Sequence, residues 1–143
     1  MHKDTVTLFN RKPGGRGQGD TWYPTVIRNT NLNIDRAAIV AKYGPETQDS
    51  AVWNVGYKKL SNEIMVAEKN WSPPKEWDGT EDSITFATGD FFWKGEWTGG
   101  IVTDAEYGVE GFYAYMNRIY DFVFSITSVA VLSVIPHFEI MGK

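Results

Sequence analysis

The sequence predicts a mainly β protein: a small antiparallel β-barrel or sandwich of about seven to eight short strands, with one helix near residues 110–120. Three observations predict it. Apolar residues come in short alternating runs separated by Gly, Pro, Asn and Asp, the pattern of strands and turns. Aromatic residues make up 15% of the chain, and large rigid rings favour strands and bury much area each. Only one stretch has helical spacing, through Phe112, Tyr115, Met116 and Ile119. A chain of 143 residues, 42% apolar, suits a single domain over residues 1–143 with one sizeable core.

In chain order, residues 5–9 (TVTLF) read as a strand with Val6 and Leu8 toward the core. Residues 10–20 (NRKPGGRGQGD) carry four Gly, one Pro and three basic side chains but no apolar one. That composition predicts a flexible Gly-rich hairpin tip or arm. Residues 22–29 (WYPTVIRN) resume as a strand, so the two runs form an antiparallel hairpin, with Pro24 at an edge or a bulge. Residues 29–35 read as a polar turn. Residues 36–42 (RAAIVAK) read as a strand that ends at Tyr43-Gly44-Pro45.

Residues 51–58 (AVWNVGYK) predict a strand with Trp53, Val55 and Tyr57 opposite Val52 and Gly56, and residues 63–67 predict another. Residues 70–79 form a proline-stiffened loop with a helical turn starting at Pro74. A strand begins at residues 84–86, residues 90–97 (DFFWKGEW) hold the densest aromatic cluster, and Thr98-Gly99-Gly100 turns. The last stretch, residues 121–142, is the part the rest is organised around. It reads as two strands with a turn near Leu132 and Ser133. Phe122, Phe124 and Ile126 share one face of the first strand; Val134, Pro136, Phe138 and Ile140 share one face of the second. Two strands cannot bury these faces alone and need a sheet or barrel from the rest of the chain.

The absence of Cys removes disulfides, thiolate catalysis and Cys-based zinc sites. No apolar run reaches the roughly 18 residues of a membrane span. The first ten residues lack the apolar core of about 7–15 residues that a signal peptide needs, so the protein is expected in a cytoplasm, at least at first. A net charge of −4 argues against a basic surface wrapped on nucleic acid and leaves room for a channel past which DNA slides.

No catalytic set, cofactor site or metal site is expected. His137 and Glu139 share a strand face, but two ligands do not make a zinc site, and the chain has no Gly-x-Ser-x-Gly elbow for a Ser-His-Asp triad. Asp78, Glu81, Asp82 and Asp90 lie near Trp77 and Trp93, as a glycosidase pair would, yet a run of acids in a polar loop is ordinarily solvated. The glycines of residues 14–19 lack the Gly-Lys-Ser/Thr ending of a phosphate cradle. What remains is assembly. Arg11, Lys12, Gly14, Gly15, Arg16 and Gly17 are candidates for an arm that orders itself on a neighbour. Trp71, Trp77, Trp93 and Trp97 are candidates for interface anchors, against the plainer alternative of core packing.

Several stretches carry a resemblance: TVTLFN…DTWYPTVI, DRAAIVAKYGPETQDSAVWNVGY, WSPPKEW, DFFWKGEW and GFYAYMNRIYDFVFSITSV…VIPHFEIMGK. Together they resemble a family of small minor capsid proteins encoded among the head genes of tailed phages of Gram-positive bacteria. Ile126, Thr127, Ser128, Val129, Pro136, His137, Phe138, Gly142 and Lys143 match that family's closing motif. The resemblance implies a structural virion protein of a bacteriophage, located in the head–tail neck after assembly in the host cytoplasm. It implies a subunit of a homo-oligomeric ring, the head-completion or stopper connector, whose partners are the portal or adaptor, the tail proteins and the DNA passing through the lumen. A tail-terminator ring subunit is one alternative. A carbohydrate-binding module at a phage tail tip, stacking sugars on exposed Trp faces, is another.

Overall fold

The computed structural model describes residues 3–34 and 51–143. The expected strand at 36–42 and the Gly44-Pro45 break lie outside the described residues. The elements in order are β1 (Asp4–Lys12), β2 (Thr21–Ile34), β3 (Ala51–Gly56), β4 (Lys58–Leu60), β5 (Glu63–Val66), β6 (Lys69–Trp71), β7 (Ser83–Ile84), β8 (Phe91–Lys94), β9 (Val102–Thr103), α1 (Gly111–Ile119), β10 (Val123–Leu132) and β11 (His137–Gly142). Short 3-10 turns occupy Pro74–Glu76 and Asp104–Tyr107.

Six strands close a barrel in the order β1-β8-β10-β11-β3-β2, with β2 pairing back onto β1 and β9 added at the start of β2. Every pairing in it is antiparallel. Closure depends on β2, whose first part pairs with β1 and whose last four residues pair with β3, from Asn31↔Asn54 to Ile34↔Ala51. Between the two parts Asn29 sits at φ 59°, beside the register shift where β2 leaves β1. Asn tolerates that left-handed backbone, and the bulge turns the strand from one neighbour to the next.

Residues 29–34 are therefore strand and not the expected polar turn. Leu32 and Ile34 pack against the core, a period-2 signal hidden by the Asn residues between them. Pro24 pairs with Phe9, in a part of β2 that among the described residues has a strand on one side only. That is the edge position expected for a residue without an N–H.

A second sheet, β4-β5-β6-β7, brings Val66, Ile84 and the following Phe86 into the barrel's core cluster. Lys69 ties the two sheets together, its Nζ donating to Thr25 Oγ1 at 2.9 Å. The interior is aromatic. Trp53 stacks on Phe92 with ring centroids 4.9 Å apart, and Phe138 lies 4.9 Å from Phe86. A second cluster lies on the outer face of the wall, where Phe9, Trp22, Phe91, Val102 and Val123 pack beneath Phe112 and Met116 of α1. Strand alternation sends Phe92 and Phe124 inward and Phe91 and Val123 outward, so β8 and the start of β10 are apolar on both faces.

The helix matches the expected 110–120, with Glu110 and Tyr120 as its caps. The other differences have physical causes. Asn10, Arg11 and Lys12 belong to β1 and not to a loose tip. Asn10 is 1% exposed, with its Nδ2 donating to Thr85 O at 2.6 Å and to Asp90 Oδ2 at 2.8 Å. The exposed tip is shorter, residues 13–19. The strand expected at 51–58 ends at Gly56, and Tyr57 separates it from β4. Ala67 leaves the next strand at φ 49°. Asn70 and Trp71 lie in β6 and not in the proline-rich loop. Val134 and Pro136 precede β11 and are exposed, so only Phe138 and Ile140 of their expected face are buried. Among the described residues the main sheet has seven strands, as expected, and four short strands in the excursion between β3 and β8 form the second sheet.

Candidate functional site

Among the described residues an exposed apolar surface lies at the tip of the β10–β11 hairpin. Val134 is 96% exposed, Ile135 74% and Val131 48%, with Leu132 beside them. The tip is held in place from behind. Tyr57 donates its backbone N–H to Pro136 O at 3.3 Å and its hydroxyl to Leu132 O at 3.1 Å. His137 Nδ1 donates to Ile135 O at 2.6 Å. Tyr57 also lines an open groove of about 570 Å³ with Leu60, Met65 and Ala67. Leu60, 58% exposed, continues the apolar surface onto β4. Exposed apolar patches of this kind are candidates for contact surfaces.

A second apolar surface lies at the other end of β10. Ile119, Tyr120 and Phe122 are exposed where α1 hands over to the strand. Tyr120 leans on Trp93 at 4.9 Å, and Lys94 Nζ lies 5.6 Å over the Phe122 ring.

The sequence-predicted anchors do not gather into one site. Arg11 is an exposed β1 residue whose Nη1 lies 3.6 Å from Asp20 Oδ2. The Lys12 side chain lies over Gly79. Gly14, Gly15, Arg16 and Gly17 form the exposed tip, where Gln18 N donates to Gly15 O at 2.9 Å and Gly14 N to Asp20 Oδ1 at 3.2 Å. A strand follows this tip, not the helix a phosphate cradle needs.

Trp71 packs on Phe138 at the barrel core, and Trp77 meets Tyr23 edge-on at 5.9 Å. Trp97 covers Phe9 and Phe112 and donates its indole N–H to Gly100 O at 2.9 Å. All four tryptophans are half-buried, each against a different aromatic partner, so they form no shared stacking platform.

Two carboxylates organise the fold around the β1–β2 tip: Asp104, which the sequence reading did not single out, and Asp90, which it placed in a solvated acidic run. Asp104 accepts from Trp22 Nε1 at 2.7 Å, Phe112 N at 3.0 Å and Asp20 N at 3.1 Å. Burial works to raise its pKa, but these donors and the nearby Arg11 charge outweigh it and hold the carboxyl below its ordinary value. Asp90 is 3% exposed, not solvated with its acidic neighbours. It accepts from Arg11 N at 2.8 Å, Asn10 Nδ2 at 2.8 Å and Ala87 N at 3.1 Å. Burial dominates, and its pKa is pushed up to about 6 despite those donors. The one signal for Asp90 was its place directly before an apolar strand.

Asp78 accepts from Thr80 and Ser83 hydroxyls, which hold it below its ordinary pKa. Among the described residues no three His, Asp or Glu side chains converge as a metal site would require. None of the described helices is long and apolar enough to cross a membrane.

Fold and surface together define a small closed β-barrel with a helix on its wall and an exposed apolar hairpin tip. The chain belongs to the family described as "Family of unknown function (DUF6751)", whose model matches residues 1–143. No curated protein and no solved structure matches the chain.

Proposed function

We propose that the chain is a structural virion protein of a tailed phage. It is one subunit of the head–tail neck ring, the head-completion or stopper adaptor that joins portal to tail and lets DNA pass. The observation that carries this function is the hairpin tip. Val134 and Ile135 are exposed on a hairpin anchored by Tyr57, and among the described residues neither belongs to a core cluster. Exposed aliphatic side chains on a fixed support are what a subunit keeps for a neighbour.

Three further points support it. The resemblance to minor capsid proteins runs over most of the chain. A six-stranded barrel filled by Trp53, Phe92 and Phe138 has no bore of its own, so a passage for DNA is built between subunits. A net charge of −4 suits a lumen that does not grip phosphates through counterion release. Mass spectrometry of purified phage particles tests the proposal, with the chain expected in stoichiometric multiples. Absence from mature particles overturns it, and electron microscopy that places the chain at the tail side of the neck assigns it to the tail-terminator ring instead.

A further inference from the structure

We infer that the two ends of β10 are the two halves of one subunit–subunit contact. The tip of one copy, Val131, Leu132, Val134 and Ile135, seats on Ile119, Tyr120 and Phe122 of the next. The inference deepens the ring function proposed above and rests on it for closure.

Distance comes first. β10 has ten residues, so its ends lie roughly 30 Å apart at about 3.3 Å per residue. One copy cannot cover its own tip with its own aromatic end. The two patches also differ in kind. The tip is aliphatic, at the turn of a strand hairpin. The other end is aromatic, at a helix–strand junction backed by Trp93 against Tyr120.

Unlike patches on two ends of one molecule give a head-to-tail contact, which closes into a ring when the rotation between copies closes. A tip-to-tip dimer is the competing arrangement. It leaves the aromatic end uncovered and brings Lys58 and Lys59, exposed beside Tyr57, against their own copies. In the head-to-tail contact those lysines approach the exposed Asp121, between Tyr120 and Phe122. The rims also hold Glu63, opposite Leu60, and Lys94, over Phe122.

Area agrees with this occupant. At about 100 Å² for a fully exposed aliphatic side chain, and more for a ring, the tip with Leu60 and the aromatic end together expose on the order of 600 Å² of apolar surface. A specific interface at the small end of the range buries about 1,200 Å², of which a little over half is apolar. The two patches joined supply nearly that amount; two tips facing each other would supply as much, so the like-charged lysines and the uncovered aromatic end decide between the two arrangements.

The absence of Cys gives a direct test. Val134→Cys and Asp121→Cys place single thiols on exposed positions at the two ends, where neither substitution disturbs the core. The full chain is treated with a short bismaleimide cross-linker at high concentration. The two variants mixed are expected to give a cross-linked dimer, each alone none, and the double variant a ladder of higher species. Adding Ile135→Asp is expected to reduce the cross-linked yield about tenfold or more with an unchanged melting temperature.

Cross-linking of Val134→Cys with itself overturns the head-to-tail contact in favour of the tip-to-tip dimer. No cross-link in the mixture overturns it as well, whether the chain is monomeric or assembles through another face. The particle mass spectrometry above is independent: a chain found in the neck whose thiols do not cross-link keeps its function and loses this contact.

Discussion

Asn10 Nδ2 donates to Asp90 Oδ2 across 2.8 Å, and both side chains are buried. The bond joins the end of β1 to the residue that begins the aromatic strand β8, two points 80 residues apart in sequence. It also explains why β1 runs on into a stretch whose composition reads as a loose tip. Removing Asn10 with Asn10→Ala takes away the side-chain donor to Thr85 O and one of the donors to Asp90 and is expected to cost about 1–3 kcal/mol. The tip beyond it is different. Replacing residues 14–19 with Asn-Gly keeps the Lys12↔Thr21 pair and removes only exposed backbone, so the melting temperature is expected to shift by no more than about 3 °C. Thermal unfolding of both variants checks this; equal losses from the two would show that the tip belongs to the core.

Asp90 gives the fold a pH dependence of unusual sign. An acid whose pKa is raised in the folded state, here to about 6, binds its proton more tightly folded than unfolded. Its contribution is fully present below the ordinary carboxylate value of about 3.9 and is lost as pH rises through about 6. Urea midpoints are therefore expected to fall between pH 4 and pH 6 and then level off. In Asp90→Asn the amide still accepts from Arg11 N but turns a second donor toward Asn10 or Ala87. That variant is expected to be less stable throughout and to lose the slope. A slope retained in Asp90→Asn would assign it to another group.

Asp104 ties together β2, α1 and Asp20, the residue that follows the β1–β2 tip. Asp104→Ala leaves the indole N–H of buried Trp22 and the backbone N–H of Phe112 and Asp20 without their acceptor. A loss of about 2–4 kcal/mol is expected, read as a lower urea midpoint. Its pKa is depressed, so its contribution is present above the ordinary carboxylate value and fades as pH falls below it. Trp22 fluorescence should shift to the red in the variant before global unfolding; an unmoved spectrum would place the indole's anchorage elsewhere.

Much of the barrel was legible because strand alternation survives in the sequence. Trp53 and Val55, Phe124 and Ile126, and Phe138 and Ile140 each keep period 2 with one face buried. The helix was legible because Phe112 and Met116 keep helical spacing. What was not legible has two causes. Buried polar residues that trade hydrogen bonds across long sequence separations, such as Asn10 with Asp90 and Asp104 with Trp22, look locally like loop residues. A strand whose partner changes midway, as β2 does at Asn29, breaks the local pattern at the bulge. The candidate surface was half legible. Tryptophans are good anchors in general, but here they are half-buried on other rings, while Val134, which alternation had placed on the face of Phe138 and Ile140, and Ile135, on the opposite face, are both exposed.

Two strand glycines make the last prediction, because the same substitution has opposite surroundings. At Gly142, which ends β11, an added Cβ would lie 2.8 Å from Phe92 Cζ and 2.9 Å from Phe124 Cβ. Neither neighbour gives way easily: Phe92 is stacked on Trp53, and Phe124 Cβ moves only with its backbone. At Gly56, in β3, an added Cβ meets nothing within 4 Å. Gly142→Ala is therefore expected to destabilise by about 1–3 kcal/mol through overpacking. Gly56→Ala is expected to be neutral or stabilising by up to about 1 kcal/mol, because it restricts the unfolded chain without strain. Urea unfolding of the pair under one condition separates packing from backbone entropy. Equal effects at the two positions would mean that the Phe92–Phe124 wall yields and that the barrel seam at β10–β11 is looser than its ring contacts indicate.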